Sequence, residues 1–177
     1  MLLPVLVCCA VNLREADHGA FTPGGILRAL CLGLGPGIME EAAFRGLPGS
    51  NLLRLWREEE KLPAVAVLTA ALFGLVHVAN AFSGAGVAAV LVQAVYSFGA
   101  GVVFAAVYLR TGNLLPAILV HTLVDFTAFL NGHAMVELPP VTAVTLGLVF
   151  AALGLYYIRP EKRGEILRLW EDKWNAQ

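Results

Sequence analysis

The chain has 177 residues, 58% of them hydrophobic and 14% charged, with a mean hydropathy of +0.74. A soluble domain carries roughly 25% charged and 45–50% apolar residues, so the composition excludes an ordinary soluble enzyme and indicates an integral membrane protein of one helical domain. The formal net charge of −1 is uninformative, but no basic stripe or interleaved aromatic run suggests nucleic acid, and none is expected as a partner.

In chain order, the predicted elements form an all-α, polytopic transmembrane helical bundle of about five to six membrane helices, since a span needs roughly 20 apolar residues. Met1–Leu13 is apolar but short for a span, and Arg14–Pro23 is a polar loop. Gly24 to Leu53 is a long helical stretch. Pro36 is expected to kink or restart it, and Gly46-Leu47-Pro48-Gly49 to mark another break. Arg54–Leu62 is a charged loop. Pro63–Phe82, Val87–Leu109, Leu114–Asn131 and Val141–Ile158 are spans, with turns at Ser83–Gly86 and Arg110–Asn113 and a proline-paired loop at Gly132–Pro140. Residues 1–158 form the membrane domain. Arg159–Gln177 is a polar tail whose Ile166, Leu167, Leu169, Trp170 and Trp174 fall near helical spacing, as expected of a helix lying along the membrane interface.

With alternating spans, Arg54, Arg57, Lys61, Arg110, Arg159, Lys162, Arg163, Arg168 and Lys173 fall on one side. Only Arg14, and Arg28 near a helix end, fall on the other. The positive-inside rule makes the heavier side, and the C-terminus with it, cytoplasmic. Arginine outnumbers lysine nine to three, which hints at a prokaryotic plasma membrane. Cys8, Cys9 and Cys31 lie in apolar runs without metal-type spacing and read as small membrane residues. The N-terminal segment lacks the basic stretch of a signal peptide, and none is expected.

Against this apolar background, three helices carry ionisable groups: Glu40-Glu41-Ala42-Ala43-Phe44-Arg45, Phe73-Gly74-Leu75-Val76-His77, and His121-Thr122-Leu123-Val124-Asp125. Such groups cost at least about 2.5–3.5 kcal/mol each at the centre of a span, so they are expected to face one another in a single polar interior. Residues four apart share a helix face. Glu41 can therefore pair with Arg45, His121 projects with Asp125, and Phe73 walls one side of His77. Glu40 lies about 100° around the helix from Glu41 and is the freer carboxylate, suited to act as a general base. His77 can hold the same water. His121 and Asp125 can donate to an oxyanion, and Glu40, His77, His121 and Asp125 are also candidate ligands for a divalent metal such as zinc. With neutral histidines the site carries −2, which calls for a protonated carboxyl, a cationic histidine or a bound divalent cation; the residues alone leave all three open.

These three motifs, in this order on successive apolar helices, resemble those of the CPBP intramembrane protease family (CAAX proteases and bacteriocin-processing enzymes, also called Abi). That family shows E-E-x-x-x-R, F-x-x-x-H and H-x-x-x-N or H-x-x-x-D. The flanking Phe44-Arg45-Gly46 and Tyr108-Leu109-Arg110-Thr111-Gly112-Asn113-Leu114-Leu115-Pro116-Ala117-Ile118 match as well, so the resemblance covers Ile38 to Asn131. It implies an intramembrane endopeptidase, of glutamate or metallo type, acting on a membrane-associated or lipidated peptide or protein. Glu40 would activate water with His77, His121 and Asp125 would form the oxyanion site, and Glu41 with Arg45 would support it. The prenyl-protease branch more often has Asn where this chain has Asp125. Asp donates only when protonated, so the departure favours metal ligation or a shared proton.

Two other classes are compatible with intramembrane ionisable groups: an ion- or proton-coupled transporter, and a non-catalytic scaffold or bacteriocin-immunity protein. The lack of an inverted repeat weighs against the first. Of the remaining polar positions, Asn80 reads as a helix-end or packing residue. Gln93, Tyr96 and Ser97 either line the cavity or bond between helices. Gly99 and Gly101 permit close helix approach. His18 and His133 are expected in solvated loops, and Glu58-Glu59-Glu60 on a solvated loop face.

Overall fold

The computed structural model of the chain describes residues 3–14, 16, 19, 21–130 and 139–176. Those residues are almost entirely helical: α1 Leu3–Arg14, α2 Pro23–Glu41, α3 Ser50–Trp56, α4 Leu62–Val76, α5 Val87–Thr111, α6 Leu114–Phe129, α7 Pro140–Tyr157 and α8 Pro160–Asn175. His18 and His133 lie outside the described residues.

The helix boundaries have local causes. Thr22 Oγ1 accepts from Gly25 N at 3.1 Å and Pro23 opens α2, where its missing N–H is not needed. Asn113 caps α6 by accepting from Leu115 N at 3.0 Å. Gly112, at φ +62°, takes the left-handed turn that ends α5.

Three expectations about breaks are corrected. The helix does not restart at Pro36, since α2 runs from Pro23 to Glu41. The break expected at Gly46–Gly49 is instead a π-helix, Ala42–Gly49, joining α2 to α3 in one continuous run. Pro48 has no N–H to give to an α-type bond, so the turn widens. The Ser50 hydroxyl donates to the Gly46 and Leu47 carbonyls and keeps them satisfied. The loop expected at Arg54–Leu62 is largely helical too: α3 reaches Trp56, Arg57 reverses the chain at φ 31°, and a short 3₁₀ turn covers Glu59–Lys61.

The runs Glu59–Ser83, Val87–Thr111 and Pro140–Tyr157 are long and apolar enough to cross a membrane; Leu3–Arg14 and Leu114–Phe129 are apolar but shorter. Large apolar side chains such as Leu27, Leu72, Leu119, Val141 and Leu148 point outward. An outer surface of this kind is stable against lipid and not against water. The protein is an all-helical integral membrane protein.

The central helix α5 packs against α4 on one side and α7 on the other, while α6 lies alongside it and carries α2 and α1 on its own flanks. Small residues set these distances: a Cβ added at Gly99 would lie 2.0 Å from the Gly147 carbonyl oxygen, so α5 and α7 touch backbone to backbone. Polar side chains inside the spans mostly bond between elements. Asn80 Nδ2 donates to Gln93 Oε1 at 2.9 Å, Cys8 Sγ meets the Tyr96 hydroxyl at 3.0 Å, and Asn12 Nδ2 donates to Val124 O and Thr127 Oγ1.

The tail is helical, and its apolar stripe packs on the bundle. In α8, Ile166 and Trp170 are buried in a core with Leu53, Leu62, Val65, Leu109 and Ile158, and Trp170 Nε1 donates to Leu109 O at 2.9 Å. The apolar stripe of α8 faces the bundle because the ends of α3, α4 and α5 present an apolar surface there. The basic residues of these elements consequently gather at one end of the molecule, where Arg57 covers the Trp174 ring and Arg110 Nη1 donates to Tyr157 O.

Candidate functional site

The acidic motif straddles the junction of α2 and the π-helix. Glu40 and Glu41 close α2, and Arg45 sits within the widened turn. Arg45 lies about 15 Å along the helix from the end of α3, and Gly101 about 15 Å from the end of α5. Were those helix ends at the surface of a hydrocarbon core roughly 30 Å thick, both residues would lie near its middle.

At that depth Glu41 and Arg45 are fully buried, with no exposed side-chain surface. Arg45 Nη1 donates to Glu41 Oε1 at 2.8 Å, as the four-residue spacing predicts, and Arg45 Nη2 donates to the Gly101 carbonyl at 2.9 Å. The guanidinium also lies over two aromatic rings, 4.8 Å from the Phe73 centroid and 5.7 Å from that of Phe104. Aromatic faces offset part of the desolvation of a buried cation.

His121 joins this pair. Its Nδ1 lies 2.9 Å from the same Glu41 oxygen that Arg45 binds, and its ring is almost completely buried. An ionised carboxylate only accepts, so Nδ1 carries the proton and donates to Glu41. Nε2 is thereby turned to the other side, where Glu40 Oε2 and Asp125 Oδ2 each stand 3.5 Å away. Phe104 stacks on the imidazole (centroids 4.7 Å apart, planes at 22°), and the Phe73 ring meets it edge-on at 5.5 Å. Glu40 and Asp125 differ from Glu41 in being about a third and a quarter exposed, so this side of the imidazole faces the way in.

The meeting of α2 with α6 depends on close backbone packing. A Cβ at Gly37 would fall 3.2 Å from Thr122 N and closer still to the Thr122 hydroxyl. Gly37 sits one turn before Glu41, and Thr122 follows His121, so this contact sets the distance across which carboxylate and imidazole bond.

His77 comes to the site by another route. It begins the 3₁₀ turn His77–Ser83 after α4, and its Nδ1 lies 2.7 Å from the Phe73 carbonyl. A carbonyl also only accepts, so Nδ1 donates and a neutral ring leaves its Nε2 lone pair free. The His77 ring meets the Phe73 ring edge-on at 4.9 Å, so Phe73 contacts both imidazoles. Among the described residues, no hydrogen bond or ion pair joins His77 to Glu40, Glu41, His121 or Asp125.

All six sequence-predicted residues thus lie in one region. Glu40, Glu41, Arg45, His121 and Asp125 form a connected cluster, and His77 is tied to it through its contact with the Phe73 ring. The expected metal set is not assembled: among the described residues no group of three or more His, Cys, Asp or Glu side chains converges as a metal-binding group. Glu40 and Asp125 approach the imidazole nitrogen of His121 itself, and the Phe73 ring contacts both the His121 and the His77 rings.

The motifs do not reveal three contributors. Phe104 stacks on His121, the Gly101 carbonyl holds Arg45, and Phe44 packs edge-on against Phe73 at 5.5 Å. Gly101 and Phe104 are three apart and share a face of α5. That spacing is legible in the sequence, but it does not tell which helix the face meets.

A family model described as type II CAAX prenyl endopeptidase, Rce1-like, matches residues 22–127. No curated protein and no solved structure matches the chain.

Proposed function

The chain belongs to the Rce1-like type II CAAX prenyl endopeptidase family, and from that premise we propose that it is an intramembrane peptidase in which Glu40 activates the hydrolytic water. The observation that carries this reading is the division of His121. Its Nδ1 is bound to the buried Glu41–Arg45 pair, while its Nε2 is offered to the accessible Glu40 and Asp125.

Glu40 takes a proton from water, and the resulting hydroxide attacks the carbonyl carbon of the scissile bond. The neutral His77 ring, its Nδ1 tied to Phe73 O, keeps an Nε2 lone pair with which to orient that water. As the tetrahedral intermediate forms, its oxyanion needs a donor. His121 donates from Nε2 only when the ring is doubly protonated, since Nδ1–H is already committed to Glu41. In that state the two rings and four charged side chains sum to −1 instead of −2, which answers the charge surplus without a metal. Collapse of the intermediate breaks the C–N bond, and Glu40 returns its proton to the leaving amine. Asp125 holds the Nε2–H side of His121. Glu41 and Arg45 hold its orientation.

The substrate is a peptide brought to mid-membrane depth by its own hydrophobic anchor, a lipid modification or an apolar segment. The basic end of the bundle, with the C-terminal helix, lies on the cytoplasmic side by the positive-inside rule. The test uses purified protein in proteoliposomes with a membrane-anchored peptide, products being identified by mass. The wild type cleaves, and Glu40→Gln lowers the rate about 10²–10⁴-fold, the usual worth of a positioned general base, while retaining its fold. A folded Glu40→Gln protein that cleaves at the wild-type rate overturns the assignment. Metal analysis on the same samples decides the route: full activity in metal-free protein supports the glutamate-activated water, and activity that returns only with added zinc opposes it.

A further inference from the structure

Gly101 belongs to none of the three motifs, yet its backbone is the far anchor of the site. Its carbonyl accepts from Arg45 Nη2 at 2.9 Å, Arg45 Nη1 donates to Glu41 Oε1 at 2.8 Å, and that oxygen accepts from His121 Nδ1 at 2.9 Å. The chain of contacts crosses from α5 to the π-helix, to α2 and to α6. Every side chain in it is at most 3–4% exposed. The absence of a side chain at position 101 is part of the geometry, because a Cβ there would lie 2.9 Å from Arg45 Nη2 and 3.1 Å from the Ala70 Cα and Cβ. Arg45 cannot retreat freely, since Phe73 and Phe104 flank its guanidinium.

We propose that Gly101 is a positioning residue: its carbonyl and its missing side chain seat Arg45, which seats Glu41, which fixes the His121 tautomer and points Nε2 at Glu40 and Asp125. The role is exerted through Arg45 and not by contact with substrate. A rigid relay of this kind specifies one imidazole orientation, because Glu41 Oε1 can serve His121 only where Arg45 leaves it. The inference deepens the peptidase reading and rests on it for rate measurements; the orientation of His121 is observable without any reaction.

The experiment therefore has two readouts on full-length protein reconstituted in lipid. The first is the ring ¹⁵N spectrum of histidine-labelled protein, which has four histidines, with His121 assigned by its loss in His121→Gln. The wild type shows His121 protonated at Nδ1 in a strong hydrogen bond to a carboxylate. Gly101→Ala weakens or removes that signature and leaves His77 unchanged. Arg45→Lys, which keeps a cation near Glu41 but has no Nη2 to reach Gly101, also alters it. The second readout is cleavage: Gly101→Ala lowers kcat by about tenfold to a hundredfold with KM within about twofold, the expected result of misplacing a catalytic group. Adding Gly101→Ala to Arg45→Lys brings no further loss of kcat, although any cost in thermal stability from crowding Ala70 persists. An unchanged His121 signature in folded Gly101→Ala overturns the proposal. If Gly101→Ala does not fold, an unchanged signature in Arg45→Lys overturns it equally. A wild type that shows the signature but cleaves nothing would fail the peptidase reading and leave the relay standing.

Discussion

Two regions of this protein bring charges against apolar surface, and they do so in opposite ways. Inside the bundle, Glu41, Arg45 and His121 are enclosed, and the bonds that join them to one another and to the Gly101 carbonyl are 2.8–2.9 Å long. At the basic end, Arg110 and Glu165 approach only to 4.0 Å with the carboxylate 60% exposed, and Lys162 pairs with Glu165 at 3.3 Å on the surface of α8. The first arrangement has no water to fall back on if a partner is removed, and the second has. Stability at the basic end comes instead from burial of Ile166 and Trp170 against α3, α4 and α5. The same residue types are therefore specific structural elements in one place and solvated decoration in the other.

The comparison is broken most severely by removing Arg45. Arg45→Met leaves the Glu41 carboxylate buried without its cation, and such a loss costs about 3–5 kcal/mol. Thermal unfolding in detergent should show a marked fall in Tm, and Arg45→Met together with Glu41→Gln should recover much of it. A Tm for Arg45→Met equal to the wild type would mean that the pair is not structurally important.

Substitutions at the basic end should be milder. Trp170→Phe keeps most of the buried ring area but leaves the Leu109 carbonyl without its donor, a cost of about 1–3 kcal/mol for an unsatisfied buried group. The effect should appear in Tm and not in cleavage rate. Glu165→Gln removes the pairs of Glu165 with Arg110 and Lys162. Exposed ion pairs contribute about 0–1 kcal/mol and are screened by salt, so the Tm change should be small and should vanish at high ionic strength. A Glu165→Gln effect as large as that of Arg45→Met would erase the distinction between the two regions. Within the site, Asp125→Asn gives the finest test. It removes one negative charge 3.5 Å from His121 Nε2 while retaining a polar group of the same shape. If Asp125 orients His121 and does not take the proton, as proposed above, the cleavage rate should stay within about tenfold of the wild type.

Much of the site is legible along single helices. His121 and Asp125 share a face because residues four apart are neighbours on an α-helix, and the same spacing lets Glu41 and Arg45 pair at 2.8 Å even though Arg45 lies in the π-turn. Gln93 accepts a hydrogen bond from Asn80, in line with the interhelical reading of its two, and Asn80 lies in the turn that follows α4, as a helix-end residue would. Less legible were the helix boundaries around proline and glycine. α2 runs on past Pro36, and Pro48 lies in a π-turn with the Ser50 hydroxyl against the Gly46 and Leu47 carbonyls, arrangements that a proline in the sequence does not announce. The apolar stripe of α8 was visible, but its partner was not. A stripe fits a membrane surface and a bundle end equally well until the Leu109 carbonyl and the Trp170 indole are seen to meet.

By itself the sequence determined the membrane class, the all-helical fold, the family and the six ionisable residues, because hydropathy, helical spacing and ordered motifs are properties of short segments. Only the tertiary structure decided what those residues do to one another. Glu41 and His121 are 80 positions apart, and they bond because Gly37 lets α2 lie on the backbone of α6. The π-turn carries Arg45 inward to the Gly101 carbonyl, and the two aromatic rings of Phe73 and Phe104 hold it there. Long-range contacts of this kind arise from packing among helices whose outer faces are equally apolar, so close fit decides which face turns inward, and hydrophobicity alone does not.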